Sequence, residues 1–270
     1  MSISDISLTS GMRKNLISLQ DTVSLLDRTQ ERLASGKKVN SALDNPTNYF
    51  AAQAHMNRAS DLTARKDGMS EAIQLTKAAD AGIEGINGLI DSAKGLTQAA
   101  RSATEADRVS LAAQFDALMS QLDDLAADSG YKGKNLLAAE SLTVEFNEDG
   151  SNTLTVTGFD ASSAGLAIDA AANDWEAEAD IDAAVADLDA ALNSLRSESA
   201  KLASNLSVIT TRLDFTSDMI NTLVEGSDNL TLADMNEEGA NMLMLQTRQA
   251  LGTTALSLSS QAAQSVLRLF

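Results

Sequence analysis

The sequence predicts a mainly α-helical protein: a long helical coiled-coil rod carrying one β-hairpin, with its N- and C-terminal helices paired. Three observations predict it. Aromatic residues make up 3% of the 270 residues and proline occurs once, while alanine, leucine, serine and aspartate dominate. Such a composition favours long helices over sandwiches or barrels. Near the N-terminus Met12, Leu16, Leu19, Val23, Leu26, Gln30 and Leu33 follow alternating steps of four and three, a heptad seam that is polar only at Gln30. Finally, two short runs in mid-chain alternate apolar and polar residues about a turn-forming stretch.

The elements follow in order. After the first helix, residues 34–46 read as an irregular connector: Gly36 suits a helix end, and the residue before Pro46 is pushed away from helical angles. Helical spacing resumes over roughly 47–102, where Ile83, Ile86, Ile90, Ala93, Thr97 and Ala100 keep the three-four rhythm. A third helix carries Leu111, Phe115, Leu118, Leu122 and Leu125. Leu142-Thr143-Val144-Glu145-Phe146 and Leu154-Thr155-Val156-Thr157 then flank Asn147-Glu148-Asp149-Gly150-Ser151-Asn152, the pattern of a hairpin near 142–158. An isolated hairpin is marginal in water, so it is expected to pack on the helices. Residues 160–180 are small, acidic and weakly periodic, with Trp175 their one large anchor, and read as a loop with a short helix. Ile181, Val185, Leu188, Leu192 and Leu195 mark a fourth helix that can run on through Leu202, Leu206, Ile209, Leu213, Thr216, Ile220 and Leu223. Residues 235–270 contain no proline and end in an apolar run.

Charge is unevenly placed. The formal net charge is −18, yet residues 1–40 carry six basic against four acidic side chains and residues 235–270 two against two, leaving −20 on 41–234. An acidic body with near-neutral ends suits a subunit that exposes its body and buries its ends. Nucleic-acid binding is not expected, because phosphate contacts need a basic face. With no cysteine there is neither disulfide nor thiolate metal site. The first 25 residues are broken by Asp5, Arg13, Lys14, Asn15, Gln20 and Asp21, so no secretory signal is expected, and no apolar run of membrane-spanning length occurs. On these grounds alone the chain reads as cytoplasmic.

No catalytic, cofactor-binding or metal-ligating set emerges. His55, the only histidine, sits in an ordinary helical context and reads as a boundary residue. Gly133-Lys134-Asn135 fails as a phosphate loop, since Asp128 and Asn135 stand where glycine and a hydroxyl residue are required. Gly82, Gly85 and Gly88 read as a smooth ridge for a neighbouring helix. Asp123, Asp124 and Asp128 lack calcium-loop spacing and read as a solvated helix face. Met242 and Met244 read as packing residues. An enzyme is not expected.

The termini are the informative part. Chain ends are usually frayed and polar. Here the last helix carries Met242, Leu243, Met244, Leu245, Leu251, Leu256, Leu258, Val266, Leu267, Leu269 and Phe270, which surrounds more of the helix than one partner covers. Periodicity by itself allows intermolecular assembly or a monomeric bundle.

Several stretches resemble bacterial flagellin. They are Leu16-Ile17-Ser18-Leu19, the block from Arg32 through Ser35, Gly36 and Asn40 to Asp44-Asn45-Pro46, Tyr131-Lys132-Gly133-Lys134-Asn135-Leu136-Leu137, Asn241-Met242-Leu243, and Gln261 to Phe270. The likeness spans both ends and most of the middle. It implies a minimal flagellin that polymerises into the flagellar filament, the propeller of motility. Residues 1–44 and 235–270 would form the inner tube, and 45–234 the outer shell. Tube contacts would fall on Met12, Leu16, Leu19, Val23, Leu26, Leu33, Leu243, Leu251, Leu258, Val266, Leu269 and Phe270. The connector motif would be Arg32, Ser35, Gly36, Asn40, Asp44, Asn45 and Pro46. Large outer domains would lie around 140–180, where there is almost no room. The implied partners are further copies of the chain, the hook-associated junction and cap proteins, a cytoplasmic export chaperone at the C-terminal helix, and the flagellar type III export apparatus. The implied location is outside the cell, and no cofactor is implied. Terminal segments of the family order on polymerisation, consistent with about 1–2 kcal/mol of backbone entropy per residue that only buried partners offset.

One departure stands out. Flagellins sensed by the vertebrate innate receptor carry an arginine in the segment matching Leu89 to Ala99, where this chain has Asp91, Ala93 and Lys94 and no arginine. The departure counts against recognition. The alternative within the superfamily is the hook–filament junction protein.

Overall fold

The computed structural model describes residues 10–267. Among them run α1 (Ser10–Ser35), α2 (Pro46–Ser102), α3 (Glu105–Asp128), β1 (Leu142–Glu145), β2 (Thr153–Val156), α4 (Glu178–Thr231) and α5 (Met235–Leu267). The protein is therefore mainly helical with one hairpin, as the sequence predicts. The chain forms two compact units, one built from the segments up to Asn57 and from Thr222 onward, the other from Arg58–Asn221. The division falls inside α2 and α4.

Helix starts have local causes. Asn45 caps α2, its Oδ1 accepting from Asn48 N at 3.1 Å. Pro46 then occupies the first helical position, where its missing N–H costs nothing. Thr104 caps α3: its Oγ1 accepts from Asp107 N at 3.4 Å and donates to Asp107 Oδ2 at 2.7 Å. Asp234 caps α5, accepting from Asn236 N and Glu237 N at 2.9 and 3.2 Å. The fourth periodic segment does run on: α4 is one helix of 54 residues.

The core of the Arg58–Asn221 unit follows the predicted seam on α2 and departs from it by one residue at several positions on α3 and α4. Ile83, Ile86, Ile90, Ala93, Thr97 and Ala100 are all buried along α2. On α3 the seam is Ala112, Phe115, Met119, Leu122 and Ala126, with Leu111, Leu118 and Leu125 half-buried beside it. On α4 it is Ile181, Ala184, Leu188, Ala191 and Leu195, with Val185 and Leu192 at its flank. Small alanines take the innermost positions because facing helices approach most closely there. Gly82 and Gly85 serve the same end: a Cβ on Gly82 would stand 2.4 Å from Ser129 Oγ, and one on Gly85 2.8 Å from Leu125 Cδ2. Gly88 meets nothing within 4 Å and is not part of that ridge.

The hairpin pairs Leu142 with Val156 and Glu145 with Thr153, antiparallel. Val144, Phe146 and Val156 are buried, while Thr143 and Thr155 face solvent. Its loop is held by Asn147, which donates to Ser151 Oγ at 2.8 Å and accepts from Asn152 N at 3.0 Å. Arg58 and Arg65 pair with Glu148 and Glu145, tying the hairpin to α2.

Tyr131–Lys134 is a two-residue turn with Lys132 (φ 50°) and Gly133 (φ 78°) at its centre, closed by Tyr131 N to Lys134 O at 2.7 Å and Lys134 N to Tyr131 O at 3.0 Å. Asn135 Nδ2 then donates to Ala126 O and Ala127 O at 2.7 and 3.0 Å, satisfying carbonyls at the end of α3. Leu136 and Leu137 are buried behind it. This stretch is thus a cap and anchor.

Residues 160–180 are tied to α3. Asp123, read from sequence as solvated, accepts from Ser163 N at 2.6 Å and Ser163 Oγ at 3.0 Å. Asp116 accepts from Ala171 N at 2.9 Å. Asn173, Asp174 and Trp175 form a left-handed turn with φ of 48°, 49° and 58°, which costs roughly 1–2 kcal/mol per residue. The turn places Trp175 wholly inside, its ring 5.2 Å from that of Phe115. That burial offsets the backbone strain.

Candidate assembly site at the chain ends

The terminal helices α1 and α5 pack together. On α1, Met12 and Thr29 are buried and Leu19, Val23, Leu26 and Leu33 half-buried, while Leu16 sits at the edge of the seam. On α5 the covered face is Glu238, Met242, Leu245, Gln249, Gly252, Leu256 and Ser259, again in steps of four and three. Gly252 permits close approach, since a Cβ there would stand 3.1 Å from Leu19 Cδ1.

The other α5 residues singled out by sequence point elsewhere. Leu243, Leu251 and Leu258 are 68%, 65% and 62% exposed, on the side away from α1, together with half-bare Met244. Ile17 and Leu25 are likewise exposed on α1. Leu269 and Phe270 lie outside the described residues, as does the side chain of Val266. The structure therefore brings the α1 residues and Leu245 into one seam and leaves Leu243, Leu251 and Leu258 without cover.

The connector explains each member of its motif. Gly36 adopts φ 72° at the end of α1, a left-handed cap that glycine takes without strain. Its N–H donates to Arg32 O at 2.8 Å and its carbonyl accepts from Ala233 N at 3.0 Å. Ser35 Oγ accepts from Lys37 N at 3.2 Å. Thr231 O then accepts from Lys38 N at 2.7 Å and Val39 N at 3.3 Å. Asp44 Oδ2 accepts from Asn40 N, Ser41 N and Ser41 Oγ at 3.0, 2.9 and 3.1 Å. These backbone N–H groups, Ser41 first and then Asn40, hold the Asp44 carboxyl below the usual range, with the Ser41 hydroxyl and the Arg32 charge adding lesser effects.

Arg32 Nη1 donates to Glu238 Oε1 at 2.8 Å, and Glu238 is 7% exposed. Sequence reasoning missed Glu238 and Thr231, because nothing local marks a partner about two hundred residues away. Asp234 was findable as an acidic cap before a long helix. Among the described residues no three potential metal-ligating side chains cluster, and no helix is long and apolar enough to cross a membrane. The site's chemistry is packing, capping and one partly buried ion pair.

Comparison with known proteins bears on this site. The family model described as the bacterial flagellin N-terminal helical region matches residues 4–141, and that of the bacterial flagellin C-terminal helical region matches residues 181–270. Flagellin FljM of Caulobacter vibrioides is 30% identical over the full length of both chains, and flagellin FljO of the same organism 29% identical over the full length of both. Flagellin A of Rhizobium meliloti is 38% identical over 27% of this chain and 20% of its own. A crystal structure of Bacillus cereus flagellin superposes with a TM-score of 0.48 at 19% identity, over 55% of this chain and 88% of the other.

Proposed function

Because this chain belongs to the bacterial flagellin family, we propose that it is a structural subunit that polymerises through its chain ends into the flagellar filament. The observation that carries the reading is α5. One face packs on α1, and the opposite face presents Leu243, Met244, Leu251 and Leu258 to solvent. A helix apolar on two sides buries its second face only against another molecule. Residues 1–44 and 235–270 then form the inner tube and residues 45–234 the outer shell. The role is mechanical, without a catalytic step or cofactor.

The filament lies outside the cell. The chain therefore leaves the cytoplasm by the flagellar export apparatus, with a chaperone on the C-terminal helix beforehand, and meets the junction and cap proteins at the filament ends. Family membership and the uncovered face of α5 support these partners.

Electron microscopy of the purified protein after salt-induced assembly tests the reading. Long filaments support it. Rings or short caps that bind only to ends of preformed filaments would favour the junction protein, and a persistently monomeric protein would overturn assembly altogether.

A further inference from the structure

Leu43 is 96% exposed, yet it does not hang on a loose loop. It sits on a turn whose backbone is bonded on both sides: Asp44 Oδ2 accepts from Asn40 N, Ser41 N and Ser41 Oγ, Leu43 N donates to Ser41 Oγ at 3.3 Å, and Asp44 N donates to Ser41 O at 3.2 Å. The next residue, Asn45, caps α2. A lone surface leucine ordinarily needs no explanation. One held rigidly in water beside a carboxylate that hydrogen bonds keep ionised is a knob with a charge at its base.

The same chain carries a surface that fits it. Met244, Leu251 and Leu258 recur every seven residues along the outer face of α5 and are all exposed. Arg248 lies within that stripe, four residues after Met244 and three before Leu251, so it is their neighbour on the helix surface. It is the one cation of residues 235–267 and makes no ion pair among the described residues. Apolar knob with anion thus matches apolar stripe with cation. The two surfaces lie at different places on one chain, and a contact between different patches of identical copies is heterologous: it propagates into an open helical polymer. Charge complementarity selects a second copy as the occupant.

Resting on the filament reading, we propose that Leu43 of one copy seats against Met244 and Leu251 of the next, with Asp44 facing Arg248. The absence of cysteine gives a clean background for the test. Leu43→Cys is combined in turn with Met244→Cys and with Leu251→Cys, and filaments are oxidised mildly, since a disulfide forms only when Cα atoms approach within about 7 Å. At least one double variant is expected to give a ladder of dimer, trimer and higher species on a non-reducing gel. Each single variant is expected to stay monomeric. Intact filaments without a ladder, or a Leu43→Cys single variant that dimerises, overturn this contact while leaving the filament reading in place; failure of the unsubstituted protein to form filaments overturns that reading first.

Charge removal gives an independent arm. Arg248→Glu is expected to raise the critical concentration for assembly at least about tenfold, and Asp44→Asn added to it, which removes the facing carboxylate but keeps an acceptor oxygen for the turn, to recover a large part of the loss. Additive losses in the double variant, with the monomer's melting temperature unchanged, overturn the proposal.

Discussion

Arg32 and Glu238 stand 206 positions apart in the chain and meet at 2.8 Å across the terminal helices, with the carboxylate almost wholly buried. The pair fixes where α5 begins relative to where α1 ends. Removing one partner leaves a buried charge without its counterion, which costs far more than the pair's net contribution. Because the Arg32 side chain is partly exposed and therefore screened, Glu238→Ala is expected to lower stability by about 2 kcal/mol rather than by the larger loss of a fully buried pair. Urea unfolding of the monomer measures it, and an unchanged midpoint would show the pair to be idle.

Asp44 predicts a pH response of defined sign. Its folded-state pKa is depressed by the Ser41 and Asn40 amides, so its contribution is full above the ordinary aspartate value of about 3.9 and is lost as pH falls through the folded value. Amide chemical shifts of Asn40 and Ser41 are expected to titrate together below about pH 4. Asp44→Asn should abolish that titration; if the shifts still move in step, another group controls the turn.

Two glycines should respond oppositely to alanine. A Cβ at Gly158 would lie 2.0 Å from Glu140 O and 2.4 Å from Leu136 O, backbone atoms that cannot step aside. Gly158→Ala is expected to cost more than about 2 kcal/mol. Gly88 is helical with open space around it, so Gly88→Ala is expected to stabilise by about 0.5–1 kcal/mol. Melting temperatures of the two variants, compared with the parent, decide both.

Trp175 is the only tryptophan and is fully buried against Phe115. Its emission should be blue-shifted in the folded monomer and move red on unfolding. Trp175→Ala removes the contact that offsets a left-handed turn, for an expected loss of about 3–5 kcal/mol. Thermal melting of the Arg58–Asn221 unit, followed by circular dichroism, is the measurement.

Truncation separates folding from assembly. Deleting the last twenty residues removes Leu251 and Leu258 but leaves Glu238, Leu245 and every core residue of the Arg58–Asn221 unit. The shortened protein is expected to keep its helical melting transition and to form no filaments. Normal filaments from it would show that the tube contacts lie elsewhere.

Much of the fold was legible because local physics writes it. The three-four rhythm of Ile83 to Ala100 named the buried face of α2, and the alternation around Asn147–Asn152 named the hairpin and its inward valines. On α3 and α4 the rhythm placed the seam slightly off, favouring Leu118, Val185 and Leu192 over Met119, Ala184 and Ala191. Hydrophobicity ranks leucine and valine above alanine, whereas close helix contact selects for small size. Asp123 was misjudged for a related reason: composition cannot tell a solvated carboxylate from one accepting bonds from a loop forty residues on.

By itself, then, the sequence determined the periodic faces of α1 and α2, the break at Gly36, the start at Pro46 and the hairpin, because each depends on residues within a few positions of one another. Tertiary structure alone decided that Glu238 answers Arg32, that Thr231 receives the connector's amides, that Asn173–Trp175 winds left-handed, and that Leu243, Leu251 and Leu258 turn away from α1. Those outcomes depend on which distant surface arrives. A helix pattern specifies an apolar face but not its partner, and packing shape and the need to satisfy buried polar groups make that choice.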